Sequence, residues 1–421
     1  MPQTLLRPLP FDWEMGVTRE PWDSSQKMIA QRIAAERLAD CGAHFEAALV
    51  TVTRGPAPHL PILNRQGMIQ RPCTNCGDCT TGCNVGAKNT LVMNYLPIAK
   101  QHGASIFTRT EVLGIDKCPD GYVVWYRHYP VCADGQSKSS SDQVVHGCLR
   151  TRMIVLGAGS LGSTELLLRS QTTNFQFSPR LGCGWSCNGD ILGLVRHTQV
   201  PTHIAGKGTD ECGMQSTGPA IQSNIRFPNR ACLQERIMIQ EGVVAKAYIP
   251  FMTLFGRDLG LDHTQMLVVA GHDGAEGRVE LGSDGSAVIR WPDLYHHVYR
   301  RIAEADMQRV AHAIGGEYRE MLAFKGRVGT VHPLGGCSMA DNPQHGAVDD
   351  RCRVFDGRDG GCIDPATGRP LVHRGLYVID GASVPTSLGV NPLATISAIA
   401  ERSAELITHD PDHADLFVAA V

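Results

Sequence analysis

Two short stretches near the C-terminal end hold residues with the types and spacing for chemistry. One places His332 before Pro333, Leu334, Gly335, Gly336 and Cys337, a histidine held first by a stiff residue and then by two flexible ones. An imidazole is suited to proton transfer near neutral pH. In the other, an apolar run at 376–379 ends at Asp380-Gly381, and after a loop of small residues Asn391-Pro392 opens a helix. Asparagine there reads as the N-cap and proline as the first helical residue. A helix start offers N–H groups and a partial positive charge, a seat for an anion. A third group is Cys73, Cys76, Cys79 and Cys83, spaced C-x2-C-x2-C-x3-C like the bacterial ferredoxin run but without its following proline. It reads either as an iron–sulfur cluster or other thiolate-bound metal site, or as a cysteine-rich loop of small residues.

These groups need elements to carry them. Residues 25–41 read as a helix with Ile29, Ile33, Ala34 and Leu38 on one face and Gly42 as its stop; 47–52 read as a strand. Asn89-Thr90 would cap a helix through Leu91 and Tyr95. Residues 105–115 and 122–126 flank Pro119-Asp120-Gly121, a hairpin signature. Residues 152–169 read as strand, glycine turn and helix, with Gly157, Gly159 and Gly162 in a Gly-x-Gly-x-x-Gly pattern. No acidic residue ends a second strand about 20 residues later, so the dinucleotide reading fails its further check. From 194 to 327 the pattern turns to alternating strands, at 224–227, 237–239 and 266–270, with a hairpin joining 278–281 to 287–291. A helix is expected over 297–322. Leu393, Ile396, Ile399, Ala400 and Ile407 recur at helical spacing after Pro392.

Taken together, the His332 and Asp380–Asn391 stretches resemble the C-terminal signature of the glucose–methanol–choline (GMC) flavin oxidoreductases, especially their cholesterol-oxidase-like branch. The resemblance covers about residues 70–200 and 325–410 well and the middle loosely. It implies an α/β (α+β) fold: an FAD-binding Rossmann-like domain with an antiparallel-sheet substrate domain. The implied division is 1–70 joining the substrate domain, 71–193 and 328–421 as two parts of the FAD domain, and 194–327 as the substrate domain. It also implies FAD as cofactor and oxidation of an alcohol, with a sterol or other bulky hydrophobic alcohol as substrate and O2 or another electron acceptor reoxidising the flavin. His332 and Asn391 would face the reactive edge of the flavin, His332 as base or hydrogen-bond partner and Asn391 as amide donor. Glu241, in Glu-Gly, would place a carboxylate over the substrate, or simply be exposed at a strand end. Cofactor contacts would come from Val112 near the adenine, Gly157 and Gly159 near the adenosine half, Asn188-Gly189 near the flavin, Asp380-Gly381 on the ribityl–pyrophosphate side, and Pro392-Leu393 beside N1 and O2.

The family begins with a strand, a Gly-x-Gly-x-x-Gly turn and a helix that hold the ADP pyrophosphate, and no such pattern precedes residue 70. Two further readings follow from this: a truncated product or partner subunit that binds no FAD alone, with another subunit supplying the ADP-binding segment, and an iron–sulfur-containing flavin dehydrogenase subunit using the four cysteines. The chain has 421 residues, a formal net charge of -3 and a pI near 6.6, which argues against a nucleic-acid or anionic-membrane partner. No apolar run is long enough to cross a bilayer and the start lacks a secretory pattern, so a reduced, cytoplasmic setting is expected for its 15 cysteines.

Overall fold

A computed structural model describes residues 25–413, apart from 56, 58–59, 131–143, 209–216, 251–259, 292, 294–296, 322–327, 359–360, 362, 365–367 and 411–412. The chain divides into two units, one of residues 1–105, 189–272 and 293–330, the other of 106–188, 273–292 and 331–421. In chain order the elements are α1 (Gln26–Arg37), β1 (His44–Ala47), β2 (Ile62–Leu63), β3 (Ile69–Gln70), α2 (Tyr95–Gln101), β4 (Thr110–Cys118), β5 (Gly121–His128) and β6 (Val145–Thr151). Then follow β7 (Ile154–Leu156), α3 (Gly159–Ser170), β8 (Cys183–Trp185), β9 (Ile191–Arg196), β10 (Ser223–Arg226), β11 (Met238–Glu241) and β12 (Thr264–Ala270). The last are β13 (Gly277–Leu281), β14 (Ala287–Arg290), α4 (Val298–Ala313), β15 (Glu317–Glu320), β16 (Arg353–Phe355), β17 (Val372–Val378) and α5 (Leu393–His409).

The first unit is built on a six-stranded antiparallel sheet ordered β1-β10-β11-β12-β9-β15. Strand periodicity sends Ile191 and Val195 of β9, Ile225 of β10, Ile239 of β11 and Leu267 and Val269 of β12 to one buried core. Helices α1 and α4 complete it with small and flexible side chains, Ala34, Ala35, Ala303, Met307 and Val310, at helical spacing. Each fully buried aliphatic side chain contributes about 1.5–3 kcal/mol.

Several expectations shift here. The helix expected over 297–322 stops at Ala313, because Gly315 adopts a left-handed φ of 68° and turns the chain into β15, which pairs with β9. The strand expected at 47–52 lies instead at His44–Ala47, with Val52 making a single bridge to Lys88. Asn94, not Asn89-Thr90, caps α2, its side chain accepting the Tyr95 N–H at 2.7 Å.

The second unit contains three three-stranded sheets. Strands β4, β5 and β6 form an antiparallel meander, and the expected hairpin turn is closed by Gly121, where any Cβ would run into the Thr151 carbonyl. Strand β17 lies between antiparallel β16 and parallel β7, with Leu376 opposite Ile154 and Val378 opposite Leu156. The hairpin β13–β14, expected among the strands of the substrate sheet, pairs with β8 instead. The core gathers Leu156, Leu166, Leu167, Phe175, Phe177, Val354, Leu376 and Val378 around α3. Among the described residues no helix is long and apolar enough to cross a membrane.

Candidate active site

His332 and Asn391 meet in the second unit. Asn391 Nδ2 lies 3.3 Å from His332 Nε2, although 59 residues separate them. With the amide N–H donating, Nε2 accepts through its lone pair, and a neutral ring then carries its proton on Nδ1. His332 is half-buried, Asn391 is exposed, and Val331 beside them is 74% exposed, so the pair opens to solvent.

The His332 loop is stitched down on both sides. Leu334 exchanges backbone hydrogen bonds with Ser186 at 3.0 and 2.9 Å, Gly335 N–H donates to Gly381 O at 2.9 Å, and Cys337 N–H donates to Ala382 O at 3.0 Å. Gly335 and Gly336 both have left-handed φ, at 75° and 98°. A Cβ on Gly335 would overlap the Gly184 carbonyl oxygen, and one on Gly336 would overlap Thr164 Oγ1. Only glycine permits this approach at both positions.

Asn391 is placed by Asn188. The fully buried Asn188 side chain accepts the N–H groups of Leu388 and Gly389 at 2.8 and 3.2 Å and donates to Val390 O at 2.8 Å. Its own N–H donates to Ser186 Oγ, whose hydroxyl donates to the buried Asp273 carboxylate at 2.8 Å. The Asp273 N–H reaches Ser387 Oγ at 3.2 Å. Ser186, Asp273 and Ser387 were not singled out in the sequence. Ser186 lies two residues from Asn188 and Ser387 in the small-residue loop before Asn391, whereas Asp273 sits beside no motif. The expected capping role of Asn391 is not what its side chain does. Helix α5 starts one residue later, with Pro392 as N-cap and no side-chain cap bond, and the Asn391 amide faces His332 instead.

Asp380 ties the end of β17 to the start of α3. Its carboxylate accepts the Gly159 N–H at 2.8 Å, the Ser163 hydroxyl at 2.5 Å and the Ala382 N–H at 2.8 Å. Burial pushes the Asp380 carboxyl above the usual carboxylate range, and these donors partly offset it. The Ala158 N–H is likewise taken, by Ser163 Oγ at 3.1 Å. The helix start after Gly157 is therefore already occupied by the protein's own carboxyl group.

No protein-family model matches the chain. It is 28% identical over 405 residues to a cholesterol oxidase of Mycobacterium tuberculosis, covering 85% of this chain and 62% of that protein. A cholesterol oxidase of Acinetobacter baumannii is 27% identical over 381 residues, covering 82% and 63%. The chain thus spans about three-fifths of the length of these curated relatives. The crystal structure of pyridoxine 4-oxidase from Mesorbium loti superposes with a TM-score of 0.55 at 15% identity, covering 90% of this chain and 70% of that one, and shows a shared fold. The chain is similar to these cholesterol oxidases over more than four-fifths of its length.

The remaining expected site residues separate into two groups. Val112, 39% exposed on β4, the Gly157 and Gly159 turn, where a Cβ would meet nothing within 4 Å, and Gly381, Pro392 and Leu393 all belong to the second unit with His332 and Asn391. Gly189, Glu241 and the four cysteines belong to the first. Gly189 is a close-packing glycine: its left-handed backbone lies against the Tyr299 ring, and the Tyr299 hydroxyl donates to its carbonyl at 2.5 Å.

Glu241 is fully buried, where an exposed strand end was one of its two readings. It pairs with the equally buried Lys27 at 3.1 Å and accepts from Gln222 N–H at 2.6 Å and from the Ser223 N–H and hydroxyl at 3.0 and 2.7 Å. Its oxygens are occupied by structural donors. Burial lowers Lys27 from the ordinary lysine range, and Glu241 partly restores it. The four cysteines are each half-buried, and burial pushes the Cys73 thiol up to about 12.

Proposed function

We propose that the chain oxidises an alcohol CH–OH group with bound FAD, with His332 and Asn391 at the reacting centre. The observation that carries this reading is the 3.3 Å approach of Asn391 Nδ2 to His332 Nε2 at a solvent-open position. An alcohol oxygen that displaces the direct Asn391–His332 hydrogen bond would give its proton to the imidazole lone pair while the amide N–H holds the same oxygen. FAD, when bound, supplies the hydride acceptor. The relatives' names support a bulky apolar alcohol of the sterol type as substrate and O2 as final acceptor.

The residues present fit the reactive end of that cofactor. Pro392 and Leu393 begin a 17-residue helix whose first N–H groups face no intrahelical carbonyl, suited to negative charge on one edge of the ring. Val112 and the open Gly157–Gly159 turn would lie along the adenosine half. Asp380 and Gly381 serve by holding α3 and the His332 loop in place. The Gly157 turn does not fit a pyrophosphate, because Asp380 already fills that helix start. This favours a second reading, in which FAD is held tightly only when another polypeptide supplies the pyrophosphate seat.

Substrate-dependent peroxide formation with FAD supplied tests the first reading. His332→Ala and Asn391→Ala are each expected to lower kcat/KM at least about 100-fold with FAD content unchanged. Wild-type turnover in both variants would remove the proposed roles. FAD affinity of the chain alone, by equilibrium dialysis, separates the second reading: micromolar or tighter binding would remove it.

A further inference from the structure

The cysteine run in the first unit is not used by the reaction above, and its local geometry carries an inference of its own. We propose that Cys73, Cys76, Cys79 and Cys83 ligate an iron–sulfur cluster.

The loop that carries them is wound so that main-chain N–H groups meet sulfur. Asn75 N–H reaches Cys73 Sγ at 3.4 Å, and Ala87 and Lys88 N–H reach Cys83 Sγ at 3.2 and 3.4 Å. The Ala220 N–H faces Cys79. Three of the four sulfurs thus have backbone donors. Such donors stabilise thiolate charge and tune bound clusters.

The winding needs left-handed backbone, found at Asn75, Gly77, Gly82 and Gly86 with φ of 61°, 79°, 98° and 75°. A Cβ on Gly77 would also strike Thr217 at 2.6 Å. The loop is then pinned. Asp78 between the cysteines accepts the Gly208 and Lys246 N–H groups at 2.5 and 2.6 Å, Lys207 N–H donates to Cys76 O at 2.8 Å, and Gly218 N–H donates to Asn75 O at 3.0 Å. A loop fixed in this way holds its four cysteines in place at little further entropy cost.

The spacing distinguishes between thiolate-bound centres. A single zinc ion needs every sulfur about 2.3 Å from one point. Among the described residues no group of three or more metal-ligating side chains is gathered closely enough to hold a metal ion, so the spacing rather than a preformed cage carries the choice of centre. A polynuclear cluster distributes its cysteine ligands over several iron atoms, and the C-x2-C-x2-C-x3-C spacing belongs to that class. Assembly is ligand exchange on iron already at the cluster's mixed ferrous and ferric level: each thiol gives up its proton as its sulfur bonds iron, sulfide bridges the irons, and no electron is transferred.

The test is iron, zinc and acid-labile sulfide analysis of the protein purified anaerobically, repeated after anaerobic incubation with ferrous and ferric iron and sulfide and desalting. The expected result is iron and sulfide in equal amounts, at about two to four of each per chain. Cys76→Ser and Cys79→Ser are expected to lose at least about nine-tenths of both, and Cys232→Ser, an exposed thiol outside the run, none. Less than about half an iron per chain after incubation, with all four thiols still open to alkylation, would overturn the proposal. One zinc per chain without sulfide would overturn it equally, and neither result depends on flavin content or turnover.

Discussion

Asn188 and Asn391, 203 positions apart in the chain, are linked through one loop: the Asn188 side chain grips three consecutive main-chain groups, and the next residue is Asn391. The amide that faces His332 is therefore aimed from a distance. Asn188→Ala is expected to lower kcat about 10- to 100-fold while leaving helix content intact. Asn188→Asp keeps the two acceptor bonds and is expected to recover part of the loss. Equal loss in both variants would argue that the clamp does not position the site. Steady-state kinetics with circular dichroism on the same samples decides.

Asp380 gives a pH prediction with a definite sign. Burial raises its carboxyl in the folded state, so its stabilising contribution is complete below the unfolded carboxylate range, about pH 4, and is lost as pH rises through the folded value. Asp380→Asn has no such titration. The melting temperature of the variant minus that of the wild type should therefore increase as pH goes from about 4 towards neutrality. A constant or falling difference would show that the donors from Gly159, Ser163 and Ala382 outweigh burial.

The Lys27–Glu241 pair is fully out of water on both sides. Removing one partner strands the other, so Glu241→Ala is expected to cost about 3–5 kcal/mol in denaturant unfolding. The double change Lys27→Met with Glu241→Leu should cost clearly less than Glu241→Ala alone, because no charge is left buried.

Gly335→Ala combines a left-handed backbone, worth about 1–2 kcal/mol against an L side chain, with overlap on the Gly184 carbonyl. Both destabilisation above about 2 kcal/mol and loss of turnover are expected, since the same loop carries His332. Thermal unfolding and peroxide assays on one preparation check both.

The sequence revealed what depends on local chemistry. The Pro119-Asp120-Gly121 turn, the strand–glycine–helix at 152–169 and three strands of the large sheet, β10, β11 and β12, are where turn residues and period-2 patterns put them. The joining of His332 to Asn391 was legible only because two motifs were read together. Other features were set by competition the chain does not advertise. An asparagine before proline can cap a helix, yet here its amide faces an imidazole. Apolar spacing ran through Ile314 into the following strand, although the Gly315-Gly316 pair was a stop signal available in the sequence. The Lys27–Glu241 pair spans 214 positions, and no periodicity joins residues at that distance.

Helix α5 leaves much of its greasy side uncovered: Leu393 is 44% exposed, Ile396 and Ile399 are half-buried, and only Ser403 and Ile407 are fully packed. A dye that lights up on apolar surface should therefore glow with the cold, folded protein. Melting curves read by such a dye would begin from a high baseline, and intrinsic tryptophan emission is the safer thermometer for this molecule.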